Sequence, residues 1–254
     1  MYDMNQRWKH KFEIKPGKWV HVPADGEIEY GTKLNKQLQK RFPFPNLYWH
    51  LKCGGHVKAL NEHTESKYFA SLDLGGFFTS ITRNRVTRSL KGRYSYQQAR
   101  DIATRSTVWT PDQNKYVLPF GFVQSTLLAT ICLNQSTLGS VLQAISNTPN
   151  LAVSVYVDDI IVSGLTIGSV LSAFDRLKLA VTRSNFNINN DKLQEVSESI
   201  EAFNIRLTHN ELLITDKRMI QFQDAYASAT SKYSQEGILT YISSVNPLQS
   251  NLMK

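Results

Sequence analysis

The residues with the plainest chemistry are two adjacent aspartates, Asp158 and Asp159, in the run Val155-Tyr156-Val157-Asp158-Asp159-Ile160-Ile161. Aspartate is disfavoured in β-strands and two neighbouring ionised carboxylates repel, so a β-rich segment carrying both asks for a compensating cation. Mg²⁺ suits such a place, because it takes one or two carboxylates and fills its other positions with water and phosphate oxygens. A third carboxylate, Asp73, lies in another β-rich stretch, residues 68–74 (YFASLDL), and on a neighbouring strand it would complete a site for two ions. Two ions about 4 Å apart clamp the attacking and leaving oxygens of an in-line phosphoryl transfer. The structural alternative for the aspartate pair is an Asx-type turn. A second cluster, His50, Cys53, His56 and His63, has the spacing H-x2-C-x2-H-x6-H, which can be read as a zinc site.

These groups need elements to hold them. Residues 68–74 read as a buried strand ending in a tight turn at Gly75 and Gly76. The runs 151–157 and 160–163, with the aspartates between them, carry the signal of a β-hairpin. Ser125 caps an expected helix whose apolar positions Leu127, Leu128, Ile131, Leu138, Val141, Leu142 and Ile145 recur at three- and four-residue steps. A further helix over 167–184 places Val170, Leu171, Phe174, Leu177 and Val181 on one stripe, two short strands follow near 200–207 and 211–214, and the rest is mostly helix. Strand, helix, hairpin, helix, strand is an α+β order in which helices cover one face of a sheet.

The chain has 254 residues, 41% hydrophobic and 20% charged, which excludes a disordered or low-complexity protein. Its net charge of +8 favours a polyanionic partner. The excess is local: residues 1–110 hold 19 Lys and Arg against 9 acids, and the remainder 10 against 12. Its densest part is Arg83, Arg85, Arg88, Lys91, Arg93, Arg100 and Arg105, an expected helical segment able to line a phosphate track or to serve as a solvated face. No apolar run is long enough to cross a bilayer, the start lacks a secretory core, and two cysteines suggest no disulfide framework, so a cytoplasmic protein without membrane association is expected.

With its surroundings added, the aspartate constellation resembles reverse transcriptases of the bacterial retron, group II intron and defence-associated type. Leu72-Asp73-Leu74-Gly75-Gly76-Phe77-Phe78-Thr79-Ser80-Ile81 is similar to the family's D-[IL]-x-x-F-F-x-S-I strand, and residues 118–126 (LPFGFVQST) to its L-P-x-G-x-x-x-S-P segment. Tyr156 to Asp159 matches its Tyr-x-Asp-Asp hairpin, residues 186–192 its G-F-x-L-N-x-x-K segment, and residues 237–247 its thumb. The resemblance implies a right-hand polymerase fold: fingers over 1–67, a palm over 68–215 with an antiparallel sheet packed on helices and a basic fingers insertion at about 83–117, and a short helical thumb over 216–254. A chain ending there would leave no room for ribonuclease H, integrase or endonuclease domains.

By the same resemblance Asp73 and Asp158, with Asp159 assisting and Leu74 counted in the site, hold two Mg²⁺ ions, for which Mn²⁺ substitutes. A primer 3′-hydroxyl then attacks the α-phosphate of a dNTP. Lys192 protonates or neutralises the departing pyrophosphate, and Phe78 excludes a ribose 2′-hydroxyl. Phe120 and Gly121 form the floor of the nucleotide pocket, where Gly121 lets the backbone approach the base pair, and Lys52 and Lys58 hold the triphosphate. Arg83, Arg85, Arg88, Lys91 and Arg93 contact nucleic acid. The partners implied are an RNA template or non-coding RNA, the DNA product, and a partner protein or second copy, in an antiphage-defence or retron-like setting. Departures stand at Phe120, where the family has Gln, at Thr126, where it has Pro, at Trp19 and His21, where a fingers Arg is usual, and at Phe203-Asn204, where the primer-holding hairpin has Leu-Gly. They leave open a template-independent or non-catalytic polymerase-like subunit, whereas Phe78 disfavours an RNA-dependent RNA polymerase.

Overall fold

The computed structural model describes residues 7–253, which fall into two compact units. One takes the chain up to Pro45, Leu74–Val141 and Leu179–Asn187; the other takes Asn46–Asp73, Leu142–Lys178 and Ile188 onward. Residues 46–67 join the unit holding the aspartates.

In that unit the strand Tyr68–Gly75 is buried along nearly its whole length, which explains its continuous apolar character. It pairs antiparallel with Asp159–Gly164, from Tyr68 opposite Gly164 to Asp73 opposite Asp159. Asp159–Gly164 returns from Leu151–Tyr156 as the expected hairpin, and Gln194–Ser197 also pairs with the central strand. The stretch read as one strand over 200–207 is two, Ser199–Ala202 and Ile205–Thr208, joined to Glu211–Ile214 in a three-stranded meander. The break is a two-residue turn at Phe203 and Asn204, both with positive φ, 57° and 61°, which supplies the twist a tight hairpin needs without glycine. Helices Asp216–Ser228, Lys232–Val245 and Pro247–Asn251 follow, and Met219, Phe222 and Ile242 pack into one core with Phe69, Ile161 and Ile205.

The other unit contains an exposed ribbon, Trp8–Lys15 paired with Lys18–Pro23, and the helix Asp25–Arg41. Its basic segment is two helices, Arg83–Leu90 and Tyr96–Ser106: the Thr82 hydroxyl accepts from the Arg85 amide, and Ser95 with Gln98 forms a capping box. The helix expected to run on from Ser125 is also two, Ser125–Asn134 and Thr137–Ser146, and Gln124 rather than Ser125 stands at the N-cap. The Ser136 hydroxyl donates to Leu133 O and accepts from the Gly139 amide, and a Cβ at Gly139 would lie 2.3 Å from Asn134 O, so the chain turns on local hydrogen bonds and a glycine despite the unbroken apolar rhythm. On helix Ile167–Arg183 the buried stripe takes in Ala173 and Ala180, while Leu171 is exposed.

Candidate active site

Pairing register creates the site. Asp73 and Asp159 face each other across the central pair of strands, and Tyr156 pairs with Asp159 across the two-residue turn Val157-Asp158. One carboxylate oxygen from each of Asp73, Asp158 and Asp159 lies within 4.8 Å of the others, the one such group of His, Cys, Asp or Glu among the described residues. Asp73 is 5% exposed. Its Oδ1 accepts from Asn189 Nδ2 and its Oδ2 from Lys192 Nζ, each at 2.9 Å, while the Asn189 amide donates to its carbonyl. Sequence reasoning gave Asn189 no role, although its segment was among those that stood out. Lys192, expected at the leaving pyrophosphate, has its ammonium on the Asp73 carboxylate.

The turn itself is under strain. Val157 is β-branched yet sits at φ +61°, a conformation such residues rarely adopt. Its amide donates to His50 Nδ1 at 2.9 Å, so an imidazole supplies the acceptor that fixes the turn. Burial holds His50 down to about 4, with a backbone bond at Val155 working the other way, and the ring is therefore neutral and able to accept near pH 7. The zinc reading of His50, Cys53, His56 and His63 is thereby overturned. His63 is fully buried, with Nε2 2.7 Å from Ser154 Oγ and Nδ1 2.8 Å from Ser163 Oγ, while His56 bonds the Tyr241 hydroxyl and Cys53 is exposed. The spacing was real, but each ring is spent on the scaffold.

Burial first, then the charges of Asp158 and Asp73, push the Asp159 carboxyl up to about 7, and Lys192 only partly offsets them. Three oxygen-donor groups and one lysine form a set short of positive charge and free of soft ligands, which fits a hard divalent cation. Leu74 has a buried apolar side chain and could offer a metal only its carbonyl.

Of the expected nucleotide pocket, the Phe78 ring is buried, edge-to-face with Phe120 at 4.8 Å, and Lys18 Nζ lies 4.4 Å from the Phe120 centroid. Phe120 also borders a cavity of about 250 Å³ with Lys11, Trp19, His21 and Trp109. Gly121 needs to be glycine for a reason within the protein: φ is +102°, and a Cβ would lie 2.2 Å from the His21 carbonyl oxygen. This contact is a requirement of its own, beside the expected close approach to a base pair. Lys52 lies over Trp49 at 4.1 Å, and the Lys58 stem covers Gly54.

The basic residues divide. Arg83 stacks 3.4 Å from the Tyr116 centroid and donates to Thr107 Oγ1, which commits it to packing. Arg105 is held by Glu27 and Tyr30, and Arg100 donates to Asn84. Arg85 and Arg88 border one cavity, whereas Lys91 and Arg93 border another with Lys40 and Arg41.

Comparison with known proteins bears on this arrangement. Residues 24–222 match the family model for reverse transcriptase (RNA-dependent DNA polymerase). No curated protein matches the chain. Among solved structures, the foamy viral protease-reverse transcriptase dRH in complex with double-stranded DNA aligns over 91% of this chain at TM-score 0.51 and 18% identity. The foamy viral protease-reverse transcriptase in complex with double-stranded DNA aligns over 90% at TM-score 0.50 and 19% identity. The chain spans 35% and 41% of the lengths of those two, and at such identities the likeness is one of fold. The family model covers most of the chain, including the strand, hairpin and loop that bring the three carboxylates together: the chain belongs to the reverse transcriptase (RNA-dependent DNA polymerase) family.

Proposed function

We propose that this chain carries out RNA-directed DNA synthesis, with Asp73 and Asp158, assisted by Asp159, holding two Mg²⁺ or Mn²⁺ ions. The observation that carries the reading is the meeting of three carboxylates within 4.8 Å on a register set by strand pairing. When bound, the ions would activate the primer 3′-hydroxyl and neutralise charge on the phosphates. Lys192, placed at Asp73, brings a positive charge and a proton for the leaving pyrophosphate. Phe78, backed by Phe120, closes the pocket against a 2′-hydroxyl and so selects dNTPs, and Phe120 and Gly121 shape its floor. Lys52 and Lys58 serve the triphosphate. Lys91 and Arg93, joined by Lys40 and Arg41, take the nucleic-acid backbone.

In this reading the chain up to 67 forms fingers, 68–215 a palm with a basic insertion, and 216–254 a thumb. The motif resemblance supports a bacterial cytoplasmic setting of the retron or antiphage-defence kind, with a non-coding RNA as template and a partner protein or second copy. No helix among the described residues is long and apolar enough to cross a membrane. The test is incorporation of labelled dNTPs on an RNA template annealed to a DNA primer, against the same reaction with the template digested beforehand. Template-dependent dNTP incorporation is expected. Equal incorporation after digestion would remove RNA templating, and a preference for NTPs would remove the role of Phe78.

A further inference from the structure

The unit bearing helix Arg83–Leu90 contains a cavity of about 1130 Å³. Small-molecule sites run from roughly 300 to 1,000 Å³, so it is of a size to admit a nucleotide. Arg85, Arg88, Arg183 and Lys115 border it, and no carboxylate does. Among the described residues none of the three guanidinium groups has an ion-pair or hydrogen-bond partner; that of Arg85 lies 4.0 Å from the Phe186 ring. The side-chain amides of Gln135 and Asn187 also border the cavity without a protein partner. Four cations around one hollow repel one another, and burial followed by the charge of Arg88 pushes Arg85 below the usual arginine value, with Cys132 opposing. Such a cluster is stabilised by a multivalent anion, and arginine forks match phosphate oxygens two at a time.

The character of the walls narrows the anion. Serines and threonines such as Ser80, Ser89 and Thr137 fill the spaces between the cations, and no aromatic ring borders the cavity to stack a base. A polynucleotide is gripped along an extended stripe with aromatic platforms, whereas here the charges converge on one hollow. We propose that this cavity is an oligophosphate-binding site, taking free pyrophosphate or the triphosphate of a nucleotide through Arg85, Arg88 and Arg183. It shares no residue with the aspartate triad. The inference goes beyond the polymerase reading and does not require it.

Isothermal titration calorimetry in EDTA, with pyrophosphate, dATP and a single-stranded DNA oligonucleotide as separate titrants, tests the site. Arg88 and Arg183 are exposed, so the double variant Arg88→Gln, Arg183→Gln should keep its circular dichroism spectrum. It is expected to bind pyrophosphate and dATP at least tenfold more weakly than wild type, with partial recovery in Arg88→Lys, Arg183→Lys. Equal affinity for the two titrants marks free oligophosphate as what is read, and tighter dATP marks the nucleotide. Asp158→Asn, Asp159→Asn should bind both like wild type, so loss of the polymerase reading would leave this result standing. The proposal is overturned if wild type binds neither compound, if the double glutamine variant binds both unchanged, or if only the oligonucleotide depends on the arginines.

Discussion

Replacing His63 by leucine should cost stability at neutral pH, and about 2.7 kcal/mol less of it at pH 4.5. His63 is 0% exposed and bridges Ser154 and Ser163, one on each strand of the aspartate hairpin, while Ser163 donates onward to Ser66. Leucine strands the buried Ser154 hydroxyl and removes one of the two partners of Ser163, so at roughly 1–3 kcal/mol for each lost partner the loss at pH 7.5 should be about 2–6 kcal/mol. Burial holds the imidazole down to about 3 in the fold, against 6.5 for the unfolded chain. A histidine whose folded value is depressed contributes stability that is whole above the unfolded value and is lost as pH falls toward the folded one. Between pH 7.5 and 4.5 wild type therefore loses about 2.7 kcal/mol through this residue, at ~1.4 kcal/mol per unit below 6.5, and the leucine variant does not. Urea denaturation of both proteins at pH 7.5, 6.5, 5.5 and 4.5 measures the difference directly. A cost that stays the same across that range would refute a neutral, buried His63.

Three further outcomes follow from the same geometry. His50→Leu removes the acceptor of the Val157 amide and should lower nucleotide incorporation at least tenfold, or ~1.4 kcal/mol in the barrier, with the divalent-metal requirement raised; adding Val157→Gly, which relieves the positive φ, should recover part of it, and no recovery would separate the turn from the defect. Gly121→Ala should destabilise by about 2–4 kcal/mol in thermal or urea unfolding, because it combines φ +102° with a 2.2 Å clash against backbone; a loss under 1 kcal/mol would contradict the close approach. Phe78→Val should reduce discrimination between dNTPs and NTPs by roughly 10–100-fold in competition assays while leaving dNTP use largely intact, and unchanged discrimination would return Phe78 to a packing role.

The aspartate pair was legible because aspartate in a β-branched run violates strand preference, and such violations concentrate at sites. What could not be read was the pairing of Asp73 with Asp159, which depends on register between strands some 85 residues apart in the chain. Helix Ser125–Asn134 was visible, but its end was masked by an apolar rhythm that continues into the next helix, and only the Ser136 hydroxyl bonds reveal it. The Phe203-Asn204 turn carries no glycine, so nothing local announced it. His50 and His63 displayed metal-like spacing, and one sequence gives no means of telling a ligand from a buried ring bridging hydroxyls or holding a strained amide. Net charge placed the basic residues in one half of the chain, but not into the distinct hollows that packing gives them.

The most direct test of the central claim is incorporation of dNTPs by purified protein on an RNA template with a DNA primer and Mg²⁺, beside an equally folded Asp158→Asn, Asp159→Asn variant. The account predicts extension by wild type and none by the variant. Extension by both, or by neither when template, primer and metal are all supplied, would contradict a polymerase working through these three carboxylates.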